Sequence, residues 1–86
     1  MADFAFVRRF LRELAEFERG ASNRDKELLE ETLAAIAKDP YLTGRIPSFY
    51  DPSLPSYLYR AGQLVIHYRL SEDDTVEFLN IFWRRI

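Results

Sequence analysis

Tyr57-Leu-Tyr-Arg-Ala-Gly62, Gln63-Leu-Val-Ile-His-Tyr-Arg-Leu70, Ser71-Glu-Asp-Asp74 and Thr75-Val-Glu-Phe-Leu-Asn-Ile-Phe-Trp-Arg-Arg-Ile86 follow one another without a gap. Two turn signals, Ala61-Gly62 and Glu72-Asp73-Asp74, separate three runs rich in β-branched and aromatic residues. That spacing predicts an antiparallel meander. On its middle strand Leu64, Ile66, Tyr68 and Leu70 alternate with Gln63, Val65, His67 and Arg69. Side chains on a strand point alternately to opposite faces, so the first set is expected to face the core and the second to face outward. The last strand, Thr75 to Trp83, is apolar at both parities: Val76, Phe78 and Phe82 share one with Asn80 and Arg84, and Leu79, Ile81 and Trp83 share the other. A strand apolar on both faces implies a cover on its outer side. The 40–55 loop, a second copy of the chain joined through this strand, or a partner protein is the expected cover.

Upstream the period changes from two to 3.6. Val7, Phe10, Leu11, Leu14 and Phe17 recur at spacings of three and four, which predicts an amphipathic helix capped at Asp3 and ended by Gly20. Ser22 with Asp25 three residues on is a capping pattern for a second helix. Leu29, Leu33 and Ile36 form its apolar stripe, with Leu28, Ala35 and Ala37 beside it, and Asp39-Pro40 stops it. Residues 40 to 55 hold four prolines and a glycine and leave room for little more than a short strand. The expected fold class is therefore α+β: an N-terminal helix hairpin packed on a small antiparallel β-meander, one domain over residues 1–86.

Composition narrows the function. The 86 residues contain 12 Lys and Arg against 14 Asp and Glu, which lacks the excess of positive charge that drives non-specific nucleic-acid binding. Absence of cysteine excludes disulfides, thiolate metal sites and cysteine nucleophiles within this sequence. The N-terminus has no long apolar run, so neither a secretory signal nor a membrane span is expected, and a cytoplasmic location is. The carboxylates of Glu72-Asp73-Asp74 point in different directions around a turn, so a turn is expected there and no metal. No phosphate loop or nucleotide fingerprint is present, and no cofactor is expected.

The helix hairpin, the helix-ending Asp39-Pro40, the run Tyr57-x-Tyr59-Arg60-x-Gly62-x-x-x-x-x-Tyr68 and the apolar strand Val76 to Arg84 together resemble the RelE/ParE superfamily of bacterial toxins. The resemblance begins near Phe6. It implies two helices on one face of a small antiparallel sheet. It implies a toxin held inactive by a cognate antitoxin, acting either on messenger RNA at the ribosome or on DNA gyrase. Family members begin with a short strand, whereas the helical pattern here starts almost at once, so that strand is expected to be reduced or lost. RelE-type nucleases carry an arginine where Val65 stands and lysines where Ser56 and Leu58 stand, and many carry a reactive tyrosine after the final arginine. Arg60 and Arg84 match the family's cationic positions.

RNA cleavage through the 2′-hydroxyl needs a base, an acid and cations for the phosphate. His67, the sole histidine, titrates near neutrality as a type and is the candidate for proton transfer. Arg60 and Arg84 are candidates to clamp phosphate. The plainer readings are a packed strand histidine and solvated arginines. Arg69, Arg85, Tyr59 and Trp83 are the candidate contacts for RNA or a protein partner.

Overall fold

A computed structural model describes residues 3–48 and 55–83. The chain runs β1 (Phe4–Phe6), α1 (Arg8–Gly20), α2 (Asn23–Lys38), β2 (Ile46–Ser48), β3 (Ser56–Ala61), β4 (Leu64–Leu70) and β5 (Val76–Trp83). One five-stranded sheet has the order β1-β5-β4-β3-β2. β2 to β5 pair antiparallel, and β1 lies parallel to β5. The fold is α+β, with a mixed sheet in place of the purely antiparallel meander expected.

The hairpin predicted between the first two strands forms as a two-residue turn, Gly62-Gln63. Gly62 adopts φ 59°, which suits glycine at the first position of such a turn. Across the second turn the backbone of Asp74 also has positive φ, 62°, and the Ser71 hydroxyl bonds the Asp73 carboxylate. Asp73 also accepts from the Thr75 N–H, and the Ser71 and Thr75 bonds hold its carboxyl below the usual carboxylate range. Among the described residues no group of three acidic or histidine side chains is placed to hold a metal ion.

Both helices end where expected. The Ser22 hydroxyl accepts from the Asp25 N–H at 3.1 Å, and Asp39 is the C-cap of α2. The start of α1 differs. Its N-cap is Val7, because Phe4, Ala5 and Phe6 extend along β5 before the helix begins. The first strand is thus short but present. The backbone N–H of Val76 donates to Asp3 O at 2.8 Å, so Asp3 serves the sheet and not a helix cap.

The core lies between the helices and one face of the sheet. Phe10, Phe17, Leu29 and Ile36 from the helices meet Leu64, Ile66, Tyr68, Leu70, Val76, Phe78 and Ile81 from the strands. Phe6, Phe10 and Phe78 pack ring on ring at 5.2 to 5.6 Å, and Phe17 meets the edge of Trp83 at 4.8 Å. Leu11, expected on the apolar stripe, is exposed. Thr32, a polar residue, is buried because its hydroxyl donates to Leu28 O at 2.6 Å within the helix.

The double apolar parity of β5 has a cause the sequence pattern did not disclose. Tyr68 pairs with Phe78 and His67 with Asn80, so Leu79 is one residue too many for the ladder. This bulge switches the strand's parity. Val76 and Phe78 face the helices before it, and Ile81 and Trp83 face them after it. Most of the apolar side chains on β5 therefore share one face. Phe82, half exposed, and Leu79 at the bulge are the large apolar residues this strand leaves off that face.

Candidate functional site

The sheet face away from the core is laid out in rows by strand register. Ser48, Ser56, Arg69, Glu77 and Ala5 form one row. Ile46, Leu58, His67 and Asn80 form the next, and Arg60, Val65 and Phe82 the third. This face is not covered by either helix, but α1 borders it. Where β1 ends at Phe6, α1 takes over the edge of β5: the Val7 N–H donates to Phe78 O at 3.2 Å and the Glu13 carboxylate accepts from the Ile81 N–H at 3.0 Å. The apolar stripe of α1 turns into the core. The flank beside it, Arg9, Arg12, Glu13 and Glu16, turns toward the helix-free face.

Between that flank and β2 lies a cleft of about 630 Å³ lined by Arg9, Arg12, Glu16, Leu58, His67 and Phe82, among others. His67 is part of its lining and is only 4 % exposed. Its Nδ1 lies 3.0 Å from Asn80 Oδ1, and Asn80 Nδ2 in turn donates to Glu13 Oε1 at 3.4 Å. The ring's other nitrogen, Nε2, is buried in the floor of a cleft whose lining is more apolar than polar, so proton transfer or hydrogen bonding to an anion there needs a group that reaches in to Nε2.

The candidate residues from the sequence fall into three groups. His67, Arg60 and Arg69 share the outer face. Arg60 is exposed and its Nε donates to Gly62 O at 3.4 Å. It sits one row from His67, a diagonal that long side chains can span. Arg69 is half-buried and paired with Glu77 at 2.9 Å, so its charge is already compensated. Tyr59 and Trp83 are on the opposite face, against the core, and are not available beside His67. Their parity decides this: Tyr59 pairs with Ile66, and Trp83 with Leu64, both core residues. Arg84 and Arg85 lie outside the described residues.

The sequence reading missed Glu13, Asn80 and the α1 arginines as site residues. A helix flank of alternating charge carries no signal for the sheet edge it will meet. It also missed Arg45. The Arg45 guanidinium sits 5.3 Å from the Tyr57 ring and 5.5 Å from the Tyr41 ring, and its Nη1 donates to Tyr41 O at 2.6 Å. Nearby, the Tyr68 hydroxyl donates to Pro40 O at 2.6 Å. These contacts lie on the core side and fasten the segment after α2 to the sheet. Among the described residues no helix is long and apolar enough to cross a membrane. Comparison with protein-family models, curated proteins and solved structures gave no match to this chain.

Proposed function

We propose that the chain is the toxin half of a type II toxin–antitoxin pair of RelE/ParE type, acting in the cytoplasm and neutralised by a cognate antitoxin. The observation that carries this reading is the helix-free sheet face, with His67 in the lining of its cleft and Arg60 one row away. In a ribosome-dependent nuclease, His67 takes the 2′-hydroxyl proton or protonates the leaving oxygen. Arg60, with Arg84 by resemblance, neutralises the phosphate. Two helices packed on one face of a small sheet agree with the resemblance that the sequence motifs carry.

A second reading is favoured by what stands around His67. Leu58 and Val65 are apolar, Ser56 is buried, and Arg69 is spent on Glu77. Among the described residues the sheet itself therefore adds only Arg60 to the positive charge near His67, and the cleft's Arg9 and Arg12 stand beside Glu13 and Glu16. A non-catalytic member of the superfamily, binding gyrase or another protein, needs no such charge.

Inducible expression with and without the neighbouring open reading frame separates the two. The nuclease reading expects growth arrest with cut transcripts, relieved by the neighbouring frame and abolished by Arg60→Ala or His67→Gln. Arrest that survives both substitutions, with intact transcripts and relaxed or broken DNA, moves the target to gyrase. Harmless expression leaves a binding module or a homodimer, and ends the toxin reading.

A further inference from the structure

We propose that Glu13 and Asn80 are positioning residues that hold His67 as its Nδ1–H tautomer, making Nε2 the basic nitrogen of the ring. The backbone N–H of Ile81 can only donate, and it donates to Glu13 Oε1 at 3.0 Å. That oxygen is therefore an acceptor. Asn80 approaches the same oxygen at 3.4 Å, and only its NH₂ end can satisfy an acceptor. With the NH₂ end fixed toward Glu13, the carbonyl end of the amide faces His67. Oδ1 lies 3.0 Å from Nδ1, so Nδ1 must carry the proton. In a neutral ring the lone pair then belongs to Nε2. Which imidazole nitrogen is protonated is commonly set by the partner of the other nitrogen, and here that partner is itself set by a helix 67 residues away in sequence from Asn80.

The line begins in α1, crosses the edge of β5 and ends at the cleft floor. The bulge at Leu79 falls immediately before Asn80, where the ladder shift occurs. Glu13 thereby does two things: it closes the N–H that β5 leaves open beyond β1, and it selects the orientation of the amide. Only the second bears on chemistry. The use made of Nε2, as base or acid toward a phosphodiester, rests on the toxin reading above; the tautomer does not.

The test is ¹⁵N NMR of the imidazole in the full chain, at a pH where the ring is neutral. The native protein is expected to show a pyrrole-type Nδ1 and a pyridine-type Nε2. Asn80→Leu removes the acceptor and is expected to transfer the proton to Nε2 wholly or in part. Asn80→Asp keeps an acceptor toward Nδ1 and is expected to retain the native tautomer. Glu13→Ala frees the amide to turn and is expected to give a mixture. A native protein with the proton on Nε2 overturns the proposal without any variant being made. So does an unchanged Nδ1–H in a folded Asn80→Leu protein. If native expression cuts transcripts, Asn80→Leu should slow cleavage by about a hundredfold or more, while Asn80→Asp slows it less. The Nδ1–H tautomer in a harmless protein leaves the positioning intact and ends the toxin reading. Transcript cleavage by a protein with Nε2–H does the reverse.

Discussion

Tyr68 shows how much one hydroxyl can report. Its ring is fully buried between α2 and the sheet, and its hydroxyl reaches the Pro40 carbonyl just past the helix end. Tyr68→Phe leaves that carbonyl without its donor, and a cost of about 1 to 2 kcal/mol is expected in urea unfolding. Burial also pushes the hydroxyl well above the ordinary tyrosine range, and the charge of Arg45 offsets part of that rise. The sign follows from linkage. Below about pH 10, the ordinary tyrosine value, both folded and unfolded states keep the proton and the stabilisation is complete. Above it the unfolded chain ionises first, so stability falls as pH rises toward the folded value. Titrating the unfolding midpoint from neutral to strongly alkaline pH should show this fall, and Tyr68→Phe should make it shallower. At the hairpin, Gly62 has positive φ and an added Cβ would stand 3.2 Å from Leu28 Cδ2. Gly62→Ala should therefore cost about 1 to 2 kcal/mol from backbone strain, read by the same urea midpoint.

At the scale of elements, β5 is where local pattern and final structure part. Phe78 faces the helices, Leu79 and Asn80 follow on the ladder shift, and Ile81 faces the helices again. Removing Leu79 would leave Phe78, Asn80, Ile81, Phe82 and Trp83 in plain alternation. A Leu79 deletion is thus expected to keep cooperative unfolding and the pairing of His67 with Asn80. Inserting an alanine between Asn80 and Ile81 is expected to abolish cooperative unfolding, because Ile81 and Trp83 would turn outward together. Urea titrations of the two variants check the contrast; equal damage from both would mean the bulge is not what sets the parity. On α2, Ser22→Ala removes the hydroxyl bonded to the Asp25 N–H and should cost about 1 kcal/mol.

The whole molecule has little stability in reserve. A chain of this size buries only about 60–65 % of the surface its unfolded form exposes, and total stability is expected to be roughly 5 to 10 kcal/mol. Phe10 and Phe78 are fully buried and join α1, β1 and β5 through their rings. Phe10→Ala should cost about 3 to 5 kcal/mol, a large part of the total. Thermal melting followed by circular dichroism should show a lowered midpoint and an unfolded fraction growing toward physiological temperature. The same substitution should weaken any cellular activity through abundance, whereas Arg60→Ala should act with the melt unchanged. Comparing the two variants separates damage to the fold from damage to the cleft.

Read alone, the sequence determined the two helices, their ends at Gly20 and Asp39, the three long strands and the faces of β4. Those features rest on local periodicity, capping and turn chemistry, which act over a few residues. Their strength explains why Leu64, Ile66, Tyr68 and Leu70 are buried as the alternation requires. The strand at Phe4–Phe6, the extra residue at Leu79, the core-side placement of Tyr59 and Trp83, and the contact of Glu13 with Asn80 arise only when distant segments pack together. A three-residue strand is too short to show a period. A bulge exists only relative to its neighbour strand. Glu13 and Asn80 meet because α1 fills the edge that β1 leaves open, and that edge exists only once the sheet has formed.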